Sequence, residues 1–206
     1  MGIILSALTH RSPLPRAITA SVIALALWII AWTVSYLFLS EGVLRDVMSA
    51  RVPDDVLFAG PSLGATIFQW NLLFGMGAIV LGSFFAIGKL SLGYIAPWWW
   101  AVGYGVALGT NSFVLTVPGK LAPRLDIFWQ HIGAREILAY LLVAAALANI
   151  HFWRPRRWYD LTLSRVRSLG DMRLRASELT LVAGGLALLA WTAAVEAAAV
   201  TAYLGK

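Results

Sequence analysis

Five polar side chains stand within stretches of the chain that are otherwise apolar, and they have the most potential for chemistry. They are Asn71, Asn111, His131, Glu136 and Glu196. Ionisable and amide groups at membrane depth are costly, so they usually face other helices or a water-filled cavity. We therefore expect these five residues to form one polar layer between helices, near the outer side of a membrane.

Glu196 is the most informative of the five, because its neighbours are almost all Ala, Val and Leu. A charged carboxylate at that depth costs about 2.5–3.5 kcal/mol, so it must pair, take up a proton or meet water. One interpretation is a hydrogen bond to Asn71 or Asn111 that stabilises helix packing. The alternatives are a pathway for protons or ions and a binding site for a substrate.

Metal and nucleophilic chemistry find little support. The chain has no Cys and three His, and His131 and Glu136 are not in the H-E-x-x-H arrangement of a zinc-binding helix. No Walker motif, dinucleotide fingerprint or G-x-S-x-G elbow is present. His151 has the chemistry of an axial ligand to haem or chlorophyll, although interfacial hydrogen bonding is the simpler interpretation. We predict no catalytic residue, no metal site, no cofactor and no enzyme activity.

Long apolar stretches must position these residues. Apolar residues make up 60% of the 206 residues and charged residues 13%, about half the charged fraction of a soluble domain. No charge lies between Arg16 and Glu41, and Lys89 alone lies between Asp55 and Lys120. About 20 apolar residues cross a bilayer as a helix. We predict an all-α, multi-pass protein of the cell membrane with one domain and five spans, at about 17–40, 63–87, 97–117, 134–153 and 178–204.

The arginine-rich segment 154–177 determines the predicted orientation. Placing it and the N-terminus in the cytoplasm leaves ten Lys and Arg residues inside and six outside, as the positive-inside rule favours. As a helix from about Tyr159 the segment is amphipathic and would lie on the anionic inner leaflet. The alternatives are a topology determinant alone and a docking site for a cytoplasmic partner. Its candidate contact residues are Arg154, Arg156, Arg157, Arg165 and Arg167.

Small residues on two of the predicted spans indicate close helix packing. Gly105 and Gly109 are spaced as a small-xxx-small pair, and Ala190 and Ala194 lie in an alanine stripe on the last span. Such residues let helices approach closely in lipid. A compact bundle that buries both faces explains them, and so does a surface that docks another membrane protein. The chain has no basic aromatic platform, so we expect no nucleic-acid partner.

Four short motifs resemble the stage II sporulation protein M family of five-span membrane proteins. They are QWNLLFGMGAIVLG with Asn71, GYGVALGTNSF with Asn111, QHIGAREIL with His131 and Glu136, and LLAWTAAVEAAAVTAYL with Glu196. The likeness covers roughly residues 60–204. It implies a partner-dependent membrane protein, since the named member groups peptidoglycan-remodelling proteins at the division septum.

These observations favour a non-enzymatic membrane subunit or scaffold whose partners are the lipid bilayer and other integral membrane proteins, in cell-envelope remodelling. Two alternatives stay open. In a transport component, Asn71, Asn111, Glu136 and Glu196 would line a polar cavity. In an accessory subunit of a pigment or redox complex, His151 would hold the pigment or haem.

Overall fold

A computed structural model describes residues 2–46, 62–113, 119–155 and 162–204 of the chain. The described residues are mostly helical, and two small antiparallel hairpins add β-structure to the predicted all-α fold. The helices are α1 (Gly2–Leu8), α2 (Pro13–Phe38), α3 (Leu63–Ser83), α4 (Ile95–Gly109), α5 (Leu125–Gln130), α6 (Ile132–Leu147) and α7 (Ala176–Leu204). The strands are β1 (Ala86–Ile87), β2 (Leu90–Ser91), β3 (Trp153–Pro155) and β4 (Leu163–Arg165).

Three helices are long and apolar enough to cross a membrane: α2, α3 and α7. Their outward faces carry exposed side chains such as Val22, Leu73 and Trp191, as expected where lipid takes the place of water. The chain is therefore a membrane protein built as a helical bundle. The helices differ in extent from the predicted spans: α2 begins at Pro13, and α4 ends at Gly109, eight residues before the predicted end of the third span.

Helix α6 forms the centre of the bundle. Ala139, Leu141, Ala144 and Ala145 are at most 1% exposed, and the helix contacts α2, α3, α4 and α7. A helix that is apolar on all sides is buried among others rather than laid on a surface. Its small alanine side chains let the four neighbours approach its axis.

The five longer helices alternate in direction. Trp98 Nε1 near the start of α4 donates to Ala20 O near the start of α2 at 3.1 Å, so α2 and α4 run the same way. Gly64 at the start of α3 lies 3.5 Å, measured from an ideal Cβ, from Ala197 near the end of α7, so α3 and α7 are antiparallel.

The Arg16–Glu178 ion pair joins the starts of α2 and α7, and Phe152, after α6, bonds Phe84, after α3. The starts of α2, α4 and α7 therefore lie at one end of the bundle, together with the ends of α3 and α6.

Gly105 and Gly109 bring α4 into close contact with α2. A Cβ atom on Gly105 would lie 2.5 Å from Trp28 O, and one on Gly109 would lie 2.6 Å from Trp32 O. The backbones therefore touch, and Ser35 Oγ donates to Trp32 O at 3.0 Å at the same contact. Of the two roles considered for the glycine pair, this contact corresponds to packing inside the bundle.

The two hairpins pack against each other at the end of the bundle where α7 begins. Phe152 N donates to Phe84 O at 2.8 Å, and Val166 N donates to Phe152 O at 2.8 Å. The amphipathic helix predicted from Tyr159 is wrong for its described part, because Leu163–Arg165 pairs as a strand with Trp153–Pro155. The apolar residues have helix-like spacing, but this segment forms a strand because residues 152–155 supply partners for its backbone hydrogen bonds.

Candidate functional site

Glu136 is the centre of a polar cluster inside the bundle. It lies in the second turn of α6 and is 5% exposed. Asn71 Nδ2 on α3 donates to its Oε1 at 2.7 Å, and Tyr104 Oη on α4 donates to its Oε2 at 2.7 Å. Each carboxyl oxygen therefore has a partner from a different helix. The three residues connect α3, α4 and α6 inside the bundle.

A π-helical segment, Asn71–Met76, interrupts α3 where Asn71 reaches the cluster. Such single wide turns within α-helices often coincide with functional positions. Gly75 belongs to this segment and is buried against the ring of Tyr140, so a Cβ atom there would collide with the phenol. The segment is therefore seated closely on α6, and its glycine is required by the approach of that ring.

Glu196 lies on α7 beside the cluster but does not join its hydrogen bonds. Its carboxyl is close enough to that of Glu136 to interact electrostatically, and the residue is partly buried. Within the described part of the chain, no side chain or backbone group donates a hydrogen bond to it. The predicted bond to Asn71 or Asn111 is absent there, because Asn71 binds Glu136 and Asn111 lies elsewhere.

His131 caps the N-terminus of α6. Its Nδ1 accepts a hydrogen bond from Gly133 N at 3.1 Å, so that nitrogen carries no proton and Nε2 does. The ring contacts Trp28, Tyr104 and Phe113 at centroid distances of 5.9, 5.7 and 4.8 Å. This arrangement makes His131 an aromatic-packed helix cap. No cluster of three metal-ligating side chains occurs among the residues whose structure is described.

Asn111 is separate from the cluster. It follows the end of α4 in a turn with a φ of 50°, a conformation that Asn adopts more readily than most residues. Its Nδ2 donates to Glu41 Oε1 at 2.8 Å, and Arg45 Nη2 donates to its backbone O at 3.1 Å. Asn111 therefore stabilises the end of the bundle. The polar residues predicted to form one layer are thus divided between the Glu136 cluster and the turn that holds Asn111.

The alanine stripe of α7 is divided between two faces. Ala193 is buried and Ala197 meets Gly64 of α3. Ala190 and Ala194 are exposed, as is Trp191 between them, whose ring lies 4.9 Å below the guanidinium of Arg135. Gly105 and Gly109 thus pack inside the bundle, whereas Ala190 and Ala194 keep an outward face.

The arginines of the basic segment lie on the surface at the end of the bundle that holds the hairpins. Arg154 is exposed beside Gly88, Arg165 Nε donates to Arg167 O at 3.0 Å, and Arg167 Nη1 donates to Asn149 O at 2.6 Å. Arg156 and Arg157 lie outside the described residues. The Nδ1 atom of His151, at the same end, is buried and has no hydrogen-bond partner in the described part of the structure.

A buried ion pair between Arg16 and Glu178 escaped the sequence analysis. Arg16 Nη2 donates to Glu178 Oε1 at 2.8 Å, with both side chains almost fully buried. Glu178 Oε2 also accepts from Arg175 N at 2.9 Å, which caps α7. An acidic residue three positions into a helix is a recognisable capping signal. In the sequence, Arg16 is marked only as the last charge before the uncharged stretch that ends at Glu41.

The bundle and its buried polar cluster define an α-helical membrane protein. No family model matches the chain, and no similar protein was found among curated sequences or among solved structures.

Proposed function

We propose that this chain is a non-enzymatic, multi-pass membrane scaffold that binds other integral membrane proteins, in the remodelling of the cell envelope. The resemblance of its motifs to the stage II sporulation protein M family agrees with this role. The observation that carries the proposal is that both oxygens of Glu136 are occupied by donors from neighbouring helices.

A buried carboxyl with a donor from a different helix on each oxygen is suited to holding helices together rather than to exchanging ligands. Asn71 and Tyr104 leave Glu136 no free oxygen, and the residue is 5% exposed. Interhelical hydrogen bonds in membranes contribute about 0.6 kcal/mol on average and up to about 1.7. The cluster therefore supports a rigid bundle, which is what a platform for other proteins needs.

The docking surface in this proposal is the outward alanine face of α7, defined by Ala190, Ala194 and Ala198. All three are exposed, although alanines spaced four residues apart allow another helix to approach closely. The bundle already covers Ala193 and the packing face of Gly105, so the uncovered stripe is available for a partner helix. Arg135 and Trp191 would lie at its edge.

We further propose that five helices cross the membrane, with the N-terminus in the cytoplasm. Helices α4 and α6 have 15 and 16 residues and span about 22–24 Å, less than the ~30 Å of a bilayer core. Both alternate in direction with α2, α3 and α7, and the neighbouring loops complete the crossing. The bundle end with Arg154, Arg165 and Arg167 would then face the cytoplasm, as basic segments usually do.

Affinity purification from the native membrane in mild detergent tests the scaffold. The wild-type chain should bring down a defined set of membrane proteins. Replacing Ala194 by Phe should remove that set, because the ring blocks the close approach of a partner helix. Val22→Phe is the matched control, since Val22 is an exposed residue on α2 and should leave the set intact. A lone monomer from wild-type cells would overturn the proposal.

A transport component is the second candidate, and Glu196 is the observation that favours it. This carboxyl is half-buried near Glu136, and no hydrogen bond from the described residues reaches it. Two carboxyls that interact electrostatically inside a helical bundle are suited to taking up a proton or a cation. Glu196→Gln in proteoliposomes should then abolish a proton or cation flux while the protein still folds. Unchanged flux, or none in the wild type, would exclude this candidate.

A further inference from the structure

A cavity of about 630 Å³ opens at the end of the bundle where α7 begins. The segment after α1, the residues that follow α6 and the first turn of α7 surround it. We call it the basic groove, after the charged and imidazole side chains in its wall: Arg11, His151, Arg167, Asp171, Arg173 and Arg175. Its volume is within the range of pockets that bind small ligands.

The basic groove carries a strong positive charge that its own residues do not cancel. Its two carboxylates are Asp171 and Glu178, and Glu178 is already paired with Arg16 behind the wall. Hydrogen bonds from Ser168 to Asp171 lower the pKa of that carboxyl, so it carries one negative charge. The groove wall also contains four arginines, so its positive charges outnumber this negative charge. None of the four forms a salt bridge within the described residues.

Backbone carbonyls position two of these arginines instead. Arg167 Nη1 donates to Asn149 O at 2.6 Å, and Arg175 Nη1 donates to Arg11 O at 3.2 Å. A guanidinium group has five N–H donors, so each of the two keeps donors for a ligand. The wall therefore presents several unused hydrogen-bonding groups together with an uncompensated positive charge.

We propose that the basic groove binds the phosphate group of an anionic ligand. Guanidinium groups match phosphate oxygens in pairs of parallel hydrogen bonds. Ile150 and Leu174 supply an apolar part of the wall. This inference goes beyond the scaffold proposal and does not depend on it.

Both lipid headgroups and soluble phosphate esters carry that chemistry. Helix α1 precedes the basic groove along the chain and exposes Ile3, Ile4 and Leu5 at 86%, 52% and 42%. Apolar side chains exposed on a short helix beside a basic pocket are typical of the membrane interface. A headgroup could enter the groove from the bilayer, and a soluble phosphate ester from the aqueous side.

Two binding measurements on the full chain in neutral detergent separate these sources. In the first, native mass spectrometry compares how many molecules of phosphatidylglycerol and of phosphatidylcholine the protein retains. In the second, the unfolding temperature is measured with glycerol 3-phosphate and compared with that in sodium chloride at equal ionic strength. Retention of phosphatidylglycerol alone assigns the groove to a headgroup. Stabilisation by glycerol 3-phosphate alone assigns it to a soluble ester, and both responses show that the groove accepts phosphate from either. No response to either probe overturns the proposal.

The variant Arg167→Gln/Arg173→Gln tests the residues. It should weaken phosphate binding by roughly tenfold or more, because charge-assisted hydrogen bonds are lost. Arg154→Gln is the matched control: Arg154 is exposed at the same end of the bundle but is not part of the groove wall. If the double variant aggregates, Arg173→Gln alone serves, since Arg173 is exposed. An equal loss of binding in Arg154→Gln, or none in the groove variants, overturns the proposal.

Discussion

Arg16 Nη2 lies 2.8 Å from Glu178 Oε1, and this ion pair joins the first turn of α2 to the first turn of α7. The two residues are 162 positions apart in the chain. Nε and Nη1 of Arg16 have no hydrogen-bond partners in the described structure, so Glu178 is the anion that compensates this buried charge. The pair closes the bundle between its first and last long helices.

Removing one partner of this pair should destabilise the bundle strongly. Arg16→Met removes the ion-pair partner of the buried Glu178 carboxylate, and breaking a buried pair in this way costs about 3–5 kcal/mol in soluble proteins. Unfolding in mixed micelles, followed by circular dichroism, measures the loss. The double variant Arg16→Met/Glu178→Leu should recover much of it, since no unpaired charge remains.

The matched control for the ion pair is Arg124→Ala. Arg124 and Asp126 form an ion pair at 2.6 Å whose side chains are 65% and 49% exposed, and such pairs contribute about 0–1 kcal/mol. Equal effects of Arg16→Met and Arg124→Ala would contradict the structural role of the buried pair.

Gly105→Ala should destabilise the contact between α2 and α4. The new Cβ would meet Trp28 O at 2.5 Å and Trp32 N at 3.1 Å, both backbone atoms that cannot move alone. Overpacking of this kind costs about 1–3 kcal/mol. Gly103→Ala, two residues earlier on the same helix, has no atom within 4 Å of its Cβ. It should be neutral or stabilising in the same unfolding assay, and equal losses would disprove the close contact.

Tyr104→Phe should weaken the bundle by removing one donor to Glu136. The oxygen that loses its partner stays buried, so we expect a loss of about 1–2 kcal/mol. Tyr36→Phe is the control, because the ring of Tyr36 contacts Lys120 and no described group bonds its hydroxyl. Unfolding midpoints should fall for Tyr104→Phe and stay within error for Tyr36→Phe.

The proposed topology can be tested with single cysteines, because the chain has none of its own. Gly170→Cys lies in the exposed loop before α7, and Asp126→Cys lies exposed near the opposite end of the bundle. In intact cells a membrane-impermeant maleimide should label Asp126→Cys and spare Gly170→Cys. The reverse labelling pattern would invert the orientation, and labelling of both would disprove an odd number of crossings between them.

Three of the five predicted spans are helices long enough to cross a membrane, and their positions follow from the local sequence pattern. Uncharged runs such as 17–40 need internally satisfied backbone groups in lipid, and the helix is the structure that provides them within one segment. Small residues at the spacing of Gly105 and Gly109 indicate close helix approach, but the sequence left open whether the partner helix is internal, and the contact with α2 is a feature of the structure. The hairpin at Leu163–Arg165 did not follow from the local pattern, because its strands depend on partners near residue 153.

The sequence by itself determined that this chain is an apolar, helical membrane protein, because composition and charge spacing decide whether lipid can surround a segment. Only the tertiary structure decided which polar groups meet. Asn71 binds Glu136 rather than Glu196, Asn111 pairs with Glu41, and Arg16 finds Glu178 across the bundle. These choices depend on helix rotation and on distances between segments remote in sequence, which spacing along one helix does not encode.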